Sequence, residues 1–397
     1  MILPPQQWTR GLSATTLLQA LDANSGRTRL VGGAVRDALL GLPVSDIDLA
    51  TELPPHEVME RLQAAGVKAV PTGIAHGTIT AVAGDLVAEV TTLRRDVATD
   101  GRHAEIAYTD DWQEDAARRD FTINALNATL PAGQVTDFFG GIEDLAARHV
   151  RFIGDPLIRI AEDHLRILRF FRFHARFAEG EPDAAGLSAC IARARDLMAL
   201  SRERIAMELL KLLELENPLP TIRLMVENGI LASVLPEIGS AGVQSLSRLI
   251  EREGRYGIPP DAIRRLSALL PQGADTAESV AQRLRLSRAQ RSRMIAAASP
   301  PPSADDDIRA LAFRQGHVTA TDRLLLGDGE ARAALSTLAE WQKPQLPISG
   351  KHLIARGLTP GPVVSERLQA FQDLWISEGF PTDPEIIDAL IDRILAG

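Results

Sequence analysis

The amino-acid sequence predicts an α+β protein, with a mixed sheet in its N-terminal part and helices through the rest. Three observations lead there. Short runs at 27–31, 46–51, 67–70, 77–83 and 86–93 are rich in aliphatic and β-branched residues and carry the alternation of half-buried strands. Gly84-Asp85 supplies a two-residue hairpin turn between the last two runs. From about Arg151 the alternation stops and apolar residues recur at helical spacing, as in Leu165, Leu168 and Phe171, then Ile205, Leu209, Leu212 and Leu213. At 397 residues the chain is too long for one simple core and implies two to four domains. Proline-rich breaks at 217–220, 257–260 and 299–303 divide the helical part, and 299–307 is the best linker candidate.

Taken in order, the first strand runs into Gly32-Gly33 and a helix opening near Val35, a turn that leaves backbone N–H groups facing an anion. Arg36 adds a fixed cation there. On a strand over 46–51, the period of two places Asp46 and Asp48 on one face and sends Ile47 and Leu49 into the core. Two hard carboxylates side by side suit Mg²⁺, which commonly sits between protein carboxylates and substrate phosphates. A helix follows over 54–65, with Pro near its start. Further on, alternation puts Glu89 on a face with Val87 and Thr91, so a third carboxylate stands on a strand near the first two.

Composition narrows the function classes. A net charge of −9 excludes a basic nucleic-acid-coating protein and confines any nucleic-acid surface to a local patch. The single cysteine, Cys190, excludes an internal disulfide and a cysteine-based zinc site, and its apolar helical context predicts a core residue. Pro4, Pro5, Gln6 and Gln7 interrupt any N-terminal apolar run, and no stretch approaches membrane-spanning length, so a soluble cytoplasmic protein with no membrane partner is expected. The eight histidines are scattered, with no His-Asp doublet of a phosphohydrolase domain.

Three more segments follow in a recognisable order: Glu89-Val90-Thr91-Thr92-Leu93-Arg94; Arg118-Arg119-Asp120-Phe121-Thr122-Ile123-Asn124-Ala125; and Glu162-Asp163-His164-Leu165-Arg166-Ile167-Leu168-Arg169-Phe170-Phe171-Arg172-Phe173. Ser201-Arg202-Glu203-Arg204-Ile205 with Glu208-Leu209 continues the series. Over roughly 27–215 the chain resembles class II tRNA nucleotidyltransferases, the bacterial CCA-adding enzymes, and the bacterial poly(A) polymerases that share their head domain.

The resemblance implies a polymerase-β-like nucleotidyltransferase head over 1–150, a helical neck that recognises the base over 151–220, a helical body over 221–300 and a helical tail contacting tRNA over 301–397. It implies Asp46 and Asp48 as metal ligands with Glu89 as third active-site acid, and Gly32, Gly33, Arg36 and Arg119 as nucleotide contacts. Asp163 and Arg166 would read the base edge: a carboxylate accepts from the exocyclic amine that cytosine and adenine share, and a guanidinium reaches ring acceptors. Arg169 and Arg172 are further nucleotide-binding candidates, although a 60° drift per i to i+3 step would carry Arg172 to the far side of a continuous helix. Read without the other motifs, 162–173 is an amphipathic helix whose arginines pair with Glu162 and Asp163.

The polar segment 95–106 is similar to the family's flexible loop used in switching from C to A addition, and its presence argues against an enzyme that adds only C. Arg283, Arg285, Arg288, Arg291 and Arg293 form the densest basic cluster of the helical part and suit tRNA phosphates. The implied activity is metal-dependent addition or repair of the tRNA 3′-terminal CCA from CTP and ATP. Its rivals are poly(A) addition, CC-only addition and a non-catalytic RNA-binding role. No oligomeric state is implied.

Overall fold

The computed structural model describes residues 1–99, 104–303 and 306–396, which pack as two compact units, Met1–Val243 and Gln244–Gly397. The first unit is built on a seven-stranded mixed sheet. Its strands are β1 (Thr28–Val31), β2 (Ile47–Thr51), β3 (Lys68–Gly73), β4 (Thr78–Ala83), β5 (Leu86–Thr92), β8 (Asn127–Thr129) and β9 (Val135–Thr136), in the order β3-β4-β5-β2-β1-β8-β9. β2 and β5 run parallel; the other neighbours are antiparallel. Between β5 and β8 a separate hairpin pairs β6 (Arg94–Thr99) with β7 (Ala104–Tyr108).

The five strands expected from alternation are all present, with ends displaced by a few residues. One displacement matters. β2 begins at Ile47, so Asp46 sits on the bend before the strand and only Asp48 shares its pleat. β8 and β9 carry too few residues for alternation to register. The segment expected as an irregular loop over 95–106 instead falls largely within β6 and β7, and its residues 100–103 lie outside the described residues.

Helices α1 (Leu12–Ala20), α2 (Gly33–Leu39) and α3 (Pro55–Ala64) cover the sheet, and α3 opens on Pro at its first position, where a missing N–H costs nothing. Then come α4 (Trp112–Ala117), α5 (Gly141–Ala146), α6 (Pro156–Glu162), α7 (Arg166–Phe177), α8 (Ala184–Arg193), α9 (Arg202–Leu213) and α10 (Leu219–Glu227). Phe121, Phe152, Phe170 and Phe173 form a buried aromatic cluster that locks α7 onto the segment after α4, with Phe121 and Phe173 centroids 5.2 Å apart. Cys190 is fully buried on α8, as expected, and burial pushes its thiol pKa up.

The second unit is helical. Its order begins with α11 (Ser240–Tyr256), α12 (Ala262–Leu269), α13 (Ala274–Arg283), α14 (Arg288–Ala297), α15 (Ile308–Gln315) and α16 (His317–Leu326). A buried ionic network joins four of them: Arg264 bridges Glu253 (2.7 Å) and Asp322 (2.9 Å), and Arg265 bonds Glu253. Arg293 also belongs to it, reaching Asp261 at 2.7 Å and Asp322, so the five arginines expected at tRNA phosphates do not form one solvent-facing strip. Arg291 pairs with Glu278. A further core gathers Phe313, Phe371 and Trp375 near the C-terminus. The two units meet at 243/244 in the chain, and the linker candidate 299–307 lies within the second of them. Among the described residues, no helix is long and apolar enough to cross a membrane.

Candidate active site

The turn between β1 and α2 shapes one end of the site. Gly32 adopts φ +65° and ψ −127°, a region essentially restricted to glycine, and its N–H donates to Leu126 O at 2.9 Å. A Cβ there would lie 2.7 Å from Nη1 of Arg119. The missing side chain therefore lets a guanidinium sit directly on the turn. Gly32→Ala is expected to cost about 1–3 kcal/mol of stability through backbone strain, with the Arg119 guanidinium displaced by the new Cβ; thermal melting checks it.

Asp48 and Glu89 are register partners across the parallel β2 and β5 pair, so their side chains stand next to each other on one face. Burial and the neighbouring Glu89, opposed by Arg119 and supplemented by Asp46, push the Asp48 carboxyl up to about 6. The shift comes first from burial and then from like charge, which the nearby Arg119 only partly offsets. Among the described residues, no group of three His, Cys, Asp or Glu side chains is arranged to enclose a metal ion. The donor set fits a divalent cation held in the open manner of Mg²⁺, by one or two carboxylates with water and substrate oxygens completing the shell.

The opposite wall is basic and closely tied down. Asp111 caps α4, accepting from the N–H groups of Gln113 and Glu114. One turn on, the buried Asp115 accepts from Nε of Arg118 (2.8 Å) and Nη2 of Arg119 (3.3 Å) just past the helix end. Burial alone would raise Asp115, but the two guanidinium groups hold it below the usual carboxylate range. Arg159 and Arg166 then donate to the carbonyls of Ala117 (3.0 Å) and Arg118 (2.8 Å), fastening the end of α4 to α6 and α7.

Arg36 is buried at 5% exposure, stacked 4.1 Å from the Phe177 ring centroid and hydrogen-bonded to Asp37 and Asn124. It braces the turn more than it reaches out. Burial, opposed by Asp37, lowers its pKa.

The segment 162–173 is not one helix. Asp163 is extended (φ −152°, ψ 106°) between α6 and α7, and its carboxylate receives the N–H of Leu165 at 3.1 Å and Nη2 of Arg204 at 2.8 Å. Arg166 pairs with Glu162, as the amphipathic reading expected, and also donates to Arg159 O at 2.9 Å. With its bond to Arg118 O, these use both Nη1–H groups and one Nη2–H, leaving, among the described residues, Nε–H and the second Nη2–H for a ligand. Arg169 clasps Asp120 (2.6 and 2.7 Å), and Arg172 donates to Glu208 at 2.6 Å. The expectation that helical drift carries Arg172 away is corrected: α7 starts only at Arg166, and both Arg169 and Arg172 turn toward the same Glu208.

All of these groups converge on one cleft of about 1140 Å³ within the first unit. Gly32, Gly33, Arg36, Asp46, Asp48, Glu89, Arg119, Asp163, Arg166, Arg169 and Arg172, the full set of expected site residues, line it. It is also lined by residues to which the sequence assigned no role, among them Asp120, Asn124, Arg176 and Lys211. Asp120 and Asn124 lie inside a quoted motif, but nothing in spacing distinguishes a buried brace from a ligand contact. Arg204, in the motif after the neck, carried no assigned role, and only the fold shows it holding Asp163.

Known proteins resemble this chain over most of its length. A family model described as poly A polymerase head domain matches residues 28–151, and one described as probable RNA and SrmB-binding site of polymerase A matches 183–241. The chain is 36% identical over 375 residues to CCA tRNA nucleotidyltransferase 1, mitochondrial, of Danio rerio, spanning 90% of this chain and 85% of that protein. It is 34% identical over 402 residues to the Homo sapiens protein of the same name, spanning 97% and 91%. The crystal structure of Bacillus stearothermophilus CCA-adding enzyme in complex with CTP superimposes with a TM-score of 0.74 at 27% identity, over 96% of this chain and 98% of that one.

Proposed function

The chain belongs to the CCA tRNA nucleotidyltransferase family, and on that premise we propose that it adds or repairs the 3′-terminal CCA of tRNA from CTP and ATP by nucleotidyl transfer without a nucleic-acid template. The observation that carries the reading is the single cleft in which a glycine turn, a carboxylate pair and the Asp163 and Arg166 side chains converge.

In the reaction, the RNA 3′-oxygen bonds to the α-phosphorus as the α–β bridging bond breaks, pyrophosphate leaves and the hydroxyl proton passes to solvent. Gly32, Gly33 and Arg119 hold the triphosphate, which fixes the α-phosphorus for in-line attack. Asp48 and Glu89, with Asp46 beside them, would hold Mg²⁺. Bound there, it would supply the positive charge that acidifies the attacking hydroxyl and balances the departing pyrophosphate. Asp163, oriented by Arg204, accepts from the exocyclic amine of cytosine or adenine, and the remaining donors of Arg166 reach ring acceptors. Neither G nor U offers that amine.

We assign 1–150 to a nucleotidyltransferase head, 151–220 to a neck, 221–300 to a body and 301–397 to a tRNA-contacting tail. We further propose a cytoplasmic location, which cell fractionation tests against the compartment named for the mitochondrial relatives.

Incubation with tRNA lacking CCA, Mg²⁺ and labelled CTP and ATP, each nucleotide omitted in turn, tests the activity. Long A tails from ATP alone would support the poly(A) alternative, and arrest after two C residues the CC-only one. Cation binding has a pH signature of its own. The Asp48 carboxyl titrates near 6, and a bound proton competes with the cation. Affinity for Mg²⁺, or Mn²⁺ as a spectroscopic stand-in, should therefore be roughly tenfold weaker at pH 5 than on its plateau above pH 7. Titration calorimetry at the two pH values checks it.

A further inference from the structure

A smaller recess of about 200 Å³ lies beside the large cleft. It shares Asp48, Glu89, Arg118 and Arg119 with that cleft and adds Thr91 and Arg94. The carboxylate pair thus stands between two hollows, each lined by guanidinium groups. The glycine turn, Asp163 and Arg166 belong to the larger one alone. A reaction that joins two substrates at one carboxylate pair needs a seat for each. Resting on the nucleotidyl-transfer reading above, we propose that the smaller recess seats the 3′ end of the RNA acceptor, with Arg94 and Arg118 on its last phosphate and Tyr108 as a stacking surface for an unpaired base.

Arg94 and Tyr108 are directly opposed across β6 and β7, which puts both side chains on the same face of the hairpin. They rest on the same turn. The Arg94 guanidinium donates to the carbonyl of His76, and the Tyr108 ring lies against Gly77, where an added Cβ would come within 2.9 Å of Cε1. Tyr108 is 48% exposed, so an aromatic face stands open to solvent beside a cation. Cationic groups tracking the backbone, with aromatic rings on which bases stack, are the common means of holding single-stranded nucleic acid.

A second observation couples the two hollows. The backbone N–H of Arg94 donates to Asp115 at 3.3 Å, and the same carboxylate holds the guanidinium groups of Arg118 and Arg119. One buried residue therefore sets the arginine at the triphosphate turn and the arginines of the recess relative to each other. An acceptor held in the recess meets the nucleotide at a fixed offset across Asp48 and Glu89.

The test uses the full chain and pairs kinetics with direct binding. Arg94→Ala and Tyr108→Ser should each raise the KM for tRNA lacking CCA about tenfold, the scale of one stacked base or phosphate contact, and leave the KM for CTP unchanged. Arg94→Lys and Tyr108→Phe should stay near wild type. The slope of log affinity against log salt should fall by about one for Arg94→Ala and not for Tyr108→Ser. Should Arg94→Ala fail to fold by circular dichroism, Tyr108→Ser carries the test alone. An unchanged KM for tRNA, or a KM for CTP that rises with it, overturns the proposal. Fluorescence anisotropy of a short single-stranded RNA ending in C and lacking a 3′-hydroxyl reads the recess without turnover. A wild-type chain that binds this RNA more tightly than the variants, yet extends no tRNA, would sink the assigned activity and keep the recess; equal binding would sink the recess.

Discussion

Asp48→Ala is expected to lower nucleotide addition by at least about a thousandfold, the several kcal/mol that a metal-held charge contributes to the transition state. tRNA binding should stay within a few-fold of wild type or tighten slightly, since a carboxylate facing phosphates repels them. The fold should not suffer. Asp48 lies half-buried beside Glu89 with its carboxyl pushed up to about 6, so at neutral pH its charge opposes folding, and removing it leaves the melting temperature equal or higher. Single-turnover incorporation of labelled CTP, filter binding of tRNA and a thermal melt separate these effects. Wild-type-like turnover would refute the metal assignment.

The second large effect falls on stability. Asp120 is buried and takes the N–H of Phe121 (2.9 Å), Nδ2 of Asn124 (3.1 Å) and both Nε and Nη2 of Arg169, while Asn124 in turn receives Arg36 from the glycine-turn side. One carboxylate therefore links the glycine turn to α7. Asp120→Ala leaves a guanidinium without its closest partner and should cost about 3–5 kcal/mol, measured by urea unfolding. Burial alone would raise the Asp120 pKa, but Arg169 and Asn124 hold it below the usual carboxylate range. With a depressed folded-state pKa, the stabilisation is complete above the unfolded value of about 4 and is lost as pH falls below it through the folded value. Asp120→Asn should flatten that acid limb of the stability curve, and an unaltered limb would remove Asp120 from the role.

The sheet was legible because β4 and β5 alternate cleanly and a Gly84-Asp85 turn joins them, and the site was legible because its motifs are contiguous in sequence. What sequence could not supply was the pairing partner of each charge. Asp163 and Arg166, three residues apart, read as neighbours on a helix, yet the backbone breaks at Asp163 and each side chain is held elsewhere, by Arg204 and by the end of α4. Arg36 read as a fixed cation at the turn, and only the fold shows what fixes it, burial between Phe177 and Asn124. Arg293 read as a tRNA-phosphate contact, with a solvated helix face as the rival reading, and points into a buried network. In each case periodicity located the residue, and long-range packing decided whether its charge was available. The β6 and β7 hairpin escaped for a related reason, since its polar, charged strands lack the apolar alternation that marks a half-buried sheet.

On the proposed function, one cleft both transfers nucleotides and chooses them. Its most direct test is the sequence and length of the products made on a single tRNA lacking its last three nucleotides, with CTP, ATP, GTP and UTP all present. The expected product carries C, C and A in that order and then arrests, with no G or U incorporated. Long homopolymer tails, indifferent incorporation of all four nucleotides, or no extension would contradict it.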